Sequence, residues 1–172
     1  MCFYPKEQTC YNFYMHKQEN YEQPNTSTKT LDAKDFLDLI YDGNSLPQDT
    51  RMTSGIFKYL DLSELSANNE DKFYSFVKSG EIIVGISELQ KNPTEKNTFW
   101  IKFISVDPQY QNQGFASTLV EEIFRFAKEQ GFSVESSSFS SIGYERLNAK
   151  LNETALKYEV PFNNQEKLLP PH

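Results

Sequence analysis

Histidine and arginine are nearly absent from this 172-residue chain: two histidines (His16 and His172) and three arginines (Arg51, Arg125 and Arg146). Neither histidine has a plausible partner cluster in the sequence, so no His-based catalytic triad and no His-ligated metal site is expected. So few arginines, and a formal net charge of -7, withhold the basic footprint that a nucleic-acid binder needs. Cysteine is equally sparse. Cys2 and Cys10 show no CxxC spacing, and two cysteines in a chain of this length read as a reducing, cytoplasmic setting. The opening residues Met1-Cys2-Phe3-Tyr4-Pro5-Lys6-Glu7 have neither a basic stretch nor an apolar run, so no signal peptide is expected. No run approaches the ~18 apolar residues that would cross a bilayer, and no membrane partner is expected.

What the chain does have is aromatic mass. Fourteen Phe, ten Tyr and one Trp offset an apolar share of only 38%. Aromatic side chains bury more area each than aliphatic ones, so a real core is within reach and disorder is not. The length fits one domain, 1–172.

Residues 1–30 mix polar and aromatic types and end in the loop-like Gln23-Pro24-Asn25-Thr26-Ser27-Thr28, with a short strand expected near Tyr11–His16. Thr30 reads as a helix N-cap before Leu31, Phe36, Leu39 and Ile40, with Gly43 as the stop. A further helical or mixed segment is expected over 54–67. Phe73–Lys78, Ser79-Gly80 and Glu81–Ile86 then form a hairpin about a glycine turn. Thr98–Val106 is apolar on both faces, hence a central strand, and Asp107-Pro108 ends it. After Gly114, Phe115, Leu119, Val120, Ile123, Phe126 and Ala127 make an amphipathic helix, with Glu121, Glu122, Arg125 and Lys128 assigned to its surface and Gly131 to its C-cap. Phe132–Phe139 alternates as a strand. A last helix from about Ser141 carries Leu147, Leu151, Ala155 and Tyr158 on one stripe, and Pro161 ends it. Strands followed by strand–helix–strand–helix give an α/β (α+β) layer fold with a mixed sheet, its β–α–β unit parallel.

The chemistry concentrates between Phe103 and Ser117. A buried strand ends, a proline turn follows, and a glycine loop opens an amphipathic helix. The first turn of a helix carries N–H groups without intrahelical acceptors, and the macrodipole adds positive potential. Gly114 has no Cβ and Ala116 is small, so an anion can approach the backbone. No Lys or Arg lies between Gln109 and Ala116, which leaves backbone dipoles and amide side chains to hold it. The loop is neither a P-loop nor a dinucleotide-binding fingerprint.

The stretch Gln111-x-x-Gly114-x-Ala116 resembles the Gln/Arg-x-x-Gly-x-Gly/Ala motif of the GNAT superfamily of acetyl-CoA-dependent N-acetyltransferases. The hairpin closing on Ile83-Val84-Gly85, the strand closing on Val106-x-Pro108 and the helix from Ala116 share that family's order. The likeness spans about residues 70–160. It implies a mixed central sheet with a splayed pair of parallel strands and helices on both faces. It implies acetyl-CoA as co-substrate, no metal, and a small-molecule or peptide amine as acceptor, with the protein a monomer or homodimer. By the same resemblance, Gln111, Asn112, Gln113, Gly114, Phe115, Ala116 and Ser117 would cradle the pyrophosphate. Ile104, Ser105 and Val106 would pair with the pantetheine arm and polarise the thioester, and Asn148 would assist. Tyr144, on the last helix, is the expected acid for the leaving thiolate, with Tyr158 second. Glu88 is the nearest carboxylate for a general base, because the position where the family often carries one falls near Trp100. A non-catalytic module of the same fold, binding coenzyme A or a protein, is the alternative.

Overall fold

The computed structural model describes residues 25–40, 51–60, 70–136 and 141–164, with side chains from residue 147 onward in the last stretch. The expected strand near Tyr11–His16, the stop at Gly43, residues 61–67 of the second helical segment, Ser137–Phe139 and the side chain of Tyr144 lie outside it.

Among the described residues six strands form one sheet in sequence order. β1 (Thr26–Asp32), β2 (Lys72–Ser79), β3 (Ile82–Lys91) and β4 (Thr98–Val106) run antiparallel, each to the next. β5 (Ser133–Ser136) and β6 (Phe162–Asn164) add in parallel. Among the helices, α1 (Ala33–Ile40) and the one-turn α2 (Ser54–Phe57) precede the hairpin, α3 (Phe115–Gln130) links β4 to β5, and α4 (Ser141–Tyr158) links β5 to β6.

Strand alternation sorts the core into two layers. Tyr74, Phe76, Ile83 and Ile86 face Ala33, Phe36, Ile40 and Ile56 of α1 and α2. Leu89, Phe99, Ile101 and Val134 face Val120, Ile123, Phe124 and Ala127 of α3 and Leu151 and Ala155 of α4. Helices therefore cover both faces. Phe99 is the hub of an aromatic cluster, its ring centroid 5.4 Å from Phe73 and Phe126 and 4.5 Å from Phe132. This is where the abundant phenylalanine is spent.

The hairpin forms as expected, turning through Gly80 at φ +61. α3 starts after Gly114 and ends on Gly131, whose left-handed φ of +69 lets its N–H bond the Ala127 and Lys128 carbonyls. The start of α1 differs from expectation. Thr30 lies inside β1, and Asp32 caps the helix by accepting the Asp35 N–H at 2.8 Å. The run Thr26–Thr30 resembles a loop in sequence because its inward position is polar: Thr30 Oγ1 bonds Ser75 Oγ at 2.8 Å and donates to Glu122 Oε1 at 2.9 Å. Glu122 is accordingly not on the surface of α3. It is 3% exposed and takes both Nε and Nη2 of Arg125, at 2.9 and 2.7 Å. The three-residue β6 carries too little pattern to be read from sequence.

Candidate functional site

Two irregularities shape β4. Between Glu88 and Leu89 its register with β3 slips, so that Lys102 is an extra residue, a β-bulge that bends the strand. At the same level the pairing with β5 stops. Thr98 to Ile101 pair with Ser133 to Ser136, and β4 continues to Val106 with no partner on that side among the described residues. Beyond Val106, β3 exchanges β4 for another neighbour: Thr53 N–H bonds the Ile83 carbonyl at 3.1 Å and Ile83 N–H bonds the Arg51 carbonyl at 2.8 Å.

The ladder fixes which backbone groups look into the opening. Asp107 N–H bonds the Val84 carbonyl at 2.9 Å while Val106 stands opposite Gly85. That makes Val106–Gly85 a non-hydrogen-bonded pair, so Ser105 shares its bonds with Ile86, and the N–H groups of Ile104 and Val106 turn toward the β5 side. The Gln111 side chain supports this assignment, for its Nε2 donates to the Val106 carbonyl on that edge at 3.2 Å.

The loop from Asp107 to Gly114 is tightly made. Buried Asp107 accepts the Gln109 N–H at 2.9 Å and starts a 3₁₀ turn with Pro108 at its first position. Asn112 adopts φ +60 and Gly114 φ +88. No atom lies within 4 Å of where a Gly114 Cβ would stand, so the glycine answers to backbone conformation rather than to crowding, and the space above it is open. The first intrahelical bond of α3 is Thr118 N–H to the Gly114 carbonyl at 3.0 Å. The N–H groups of Phe115, Ala116 and Ser117 are thus the orphan donors of the helix start, with Gln111, Asn112 and Gln113 exposed beside them. The Phe115 ring is buried against Val77, Val84 and Leu119, which anchors this turn to the sheet.

The remaining expected residues fall in three places. Glu88 lies on the α1/α2 face, where Oε2 accepts the Tyr74 hydroxyl at 3.1 Å and Oε1 pairs with Lys72 Nζ at 3.3 Å. Asn148, on α4, ends a chain from β5: Ser136 Oγ donates to Asn164 Oδ1, and Asn164 Nδ2 donates to Asn148 Oδ1, each at 2.8 Å. Tyr158 is drawn away, its hydroxyl donating to Glu121 Oε2 at 3.1 Å. Burial and this bond to Glu121 hold the Tyr158 phenol above its ordinary value. Lys150 is likewise engaged, by Glu121 at 3.0 Å. Under Lys157, Lys150 and Tyr158, Glu121 is held down to about 2.

Sequence reasoning missed two features of the α1/α2 face. Tyr74 and Lys72 are the donors of Glu88, and the signal for them was a lysine and a tyrosine in the inward phase of a strand. Glu135 is 1% exposed on β5, opposite Trp100, and accepts Asn92 Nδ2 at 2.9 Å. Tyr59, exposed, rests its ring on Phe103 at 6.3 Å. Among the described residues no three His, Cys, Asp or Glu side chains converge as metal ligands, and no helix is long and apolar enough to cross a membrane.

The comparisons with known proteins agree with this geometry. Among curated proteins no sequence matches the chain. Among solved structures, an aminoglycoside N-acetyltransferase, AAC(6')-Iy, in complex with CoA is similar with a TM-score of 0.55 at 13% identity, over 85% of this chain and 98% of that one. A GNAT-family acetyltransferase from Desulfovibrio desulfuricans follows with 0.52 at 13% identity, over 75% and 83%. An IAA acetyltransferase from Bacillus cereus has 0.50 at 17% identity, over 73% and 74%. These likenesses speak to the fold. The sequence model of the acetyltransferase (GNAT) family matches residues 36–144, which take in the hairpin, the bulged strand and the glycine loop. This chain belongs to the GNAT acetyltransferase family.

Proposed function

We propose that the protein transfers an acetyl group from acetyl-CoA to a primary amine by direct attack within a ternary complex. One observation carries the reading: a left-handed Gly114 opens the first turn of α3 beside the edge of β4 that faces away from β3. The orphan N–H groups of Phe115, Ala116 and Ser117 would meet the pyrophosphate, with Gln111, Asn112 and Gln113 as polar rim. An extended pantetheine arm would lie along Ile104–Val106 as an added strand, with Ser105 keeping that segment in the sheet. An N–H of Ile104 or Val106 would stabilise negative charge growing on the thioester oxygen. Asn148, oriented by Asn164, would offer its amide to the same arm. Tyr144 would protonate the thiolate, and Glu88 would receive the acceptor's proton.

The acceptor in this reading is a small-molecule or peptide amine. A net charge of -7 favours a cationic one by steering. A chain acting as a single cytoplasmic domain, monomer or homodimer, completes the reading. The similar structure of an aminoglycoside acetyltransferase with CoA supports it as an analogy of fold.

The test is a thermal melt with and without acetyl-CoA, followed by thiol detection over a panel of amines. A raised melting temperature and thiol release with at least one amine are expected. An unchanged melting temperature at saturating acetyl-CoA overturns the reading, and binding without thiol release leaves a coenzyme A-binding module.

A further inference from the structure

We propose that Tyr74 is a positioning residue for Glu88 and sets the carboxylate that takes the proton from the acceptor amine. The inference rests on the acetyl-transfer reading and adds to it the residue that makes Glu88 competent.

Glu88 stands opposite Phe103, the residue after the Lys102 bulge, level with the last β4–β5 pair, Ile101 and Ser136. Its side chain is therefore at the height where β4 leaves β5, on the face lined by α1 and α2. Tyr74, next to it on β2, is 2% exposed, and its ring stacks on Phe36 with centroids 4.9 Å apart and planes inclined by 17°. A ring so held cannot swing its hydroxyl elsewhere without breaking the stack. Its O–H donates to Glu88 Oε2 at 3.1 Å, and the Lys72 ammonium meets Oε1 at 3.3 Å. Each oxygen of an ionised carboxylate accepts more than one hydrogen bond. One donor per oxygen fixes the rotamer and leaves a lone pair on each for an incoming amine. Phe103 and the exposed ring of Tyr59 flank the approach.

The step balances without any further reactant. The acceptor ammonium loses one proton to Glu88 Oε2, breaking an N–H bond. The freed nitrogen lone pair forms the C–N bond at the thioester carbon. The C–S bond breaks, the nitrogen sheds its second proton as the amide forms, Tyr144 passes one proton to the thiolate and recovers that one from the nitrogen, and Glu88 returns its own to water.

Among the described residues the titratable and charged groups that meet Glu88 are Lys72 and Tyr74 from β2. β4 turns Phe103 and Trp100 to this face, with the Lys102 ammonium 4.9 Å over the Trp100 ring. α1 and α2 contribute the apolar Phe36, Ile40 and Ile56. Both β2 donors meet the carboxylate oxygens directly, one on each.

The experiment uses the full chain and whichever amine of the panel it turns over. Glu88→Gln should lower kcat by about a hundredfold or more at neutral pH, with recovery as the amine deprotonates by itself at high pH. Tyr74→Phe should lower kcat by about tenfold, the worth of one hydrogen bond to a charged group. The loss should fall on kcat and leave the KM for acetyl-CoA within about twofold, the cofactor contacts being untouched. In the Glu88→Gln background Tyr74→Phe should add nothing. Glu88→Asp, which shortens the reach to Tyr74, should likewise lower kcat with the KM for acetyl-CoA kept, and serves if Tyr74→Phe fails to fold. An active wild type with unchanged kcat in these variants overturns this proposal alone. A Tyr74→Phe loss of equal size in both backgrounds also overturns it, since it makes Tyr74 structural. A wild type that releases no thiol with any amine overturns it together with the acetyl-transfer reading.

Discussion

Gly55 lies against the carboxylate of Asp107 so closely that a Cβ on Gly55 would fall 2.2 Å from Asp107 Oδ2. The contact joins α2, on one face of the sheet, to the turn that leads into the glycine loop. Asp107 is buried and already committed to the Gln109 N–H, so it has little room to yield. Gly55→Ala is expected to cost about 1–3 kcal/mol by overpacking and to weaken acetyl-CoA binding through the displaced turn. A urea titration and a binding isotherm read the two effects separately. An alanine variant with wild-type affinity would separate α2 from the proposed role of the glycine loop.

Gly114 and Gly131 form a matched pair for testing the loop. Both have positive φ, +88 and +69, and neither Cβ would touch anything. Alanine at either should cost roughly 1–2 kcal/mol of backbone strain. Only Gly114→Ala should also raise the Kd for acetyl-CoA, because only that glycine sets the orphan N–H groups. Equal Kd values for the two variants would remove the Gly114 loop from cofactor binding.

Glu122 is the polar rivet between α3 and β1. Glu122→Ala leaves the Thr30 hydroxyl without its acceptor and the Arg125 guanidinium with Glu129 alone. The expected loss is about 2–3 kcal/mol in chemical denaturation, near the lower end for breaking a buried pair because Arg125 is partly solvated. A loss below about 0.5 kcal/mol, the scale of an exposed pair, would show that the bond between β1 and α3 carries no stability.

Glu121 has a pH signature. Its bond to Lys157, with Lys150 and Tyr158 beside it, holds its pKa at about 2 against an ordinary 4.5. A depressed folded-state value means that the unfolded chain binds the proton more readily. The stabilisation is therefore present above about pH 4.5 and is lost as pH falls toward 2. Glu121→Gln should flatten the fall in melting temperature across that window, and an unchanged acid slope would count against the cluster.

Tyr144 is proposed as the acid for the leaving thiolate. Tyr144→Phe should lower turnover while leaving the Kd for acetyl-CoA unchanged. Wild-type turnover in this variant would remove Tyr144 from the mechanism and leave thiolate protonation to solvent.

The sequence alone determined the elements whose periodicity is local. The hairpin about Gly80, the two-faced strand Thr98–Val106 and the helix from Phe115 to Gly131 follow from alternation, helical spacing and glycine at left-handed positions. The glycine loop between that strand and that helix was legible for the same reason, because a loop's chemistry is written in consecutive residues. Tertiary structure decided what depends on a partner far along the chain. Thr30 is a strand residue because its hydroxyl accepts from Ser75 and donates to Glu122, and Glu122 is buried because β1 closes over it. The bulge at Lys102 exists only as a mismatch of register between two strands. That mismatch, with the end of β5 pairing at Ser136, selects which N–H groups face the opening. Tyr74 and Lys72 meet Glu88 across two strands, 14 and 16 positions away, a distance that no local pattern encodes. A polar residue in the inward phase of a strand is costly alone and stable once matched. The sequence shows the residue, and only the folded sheet shows the match.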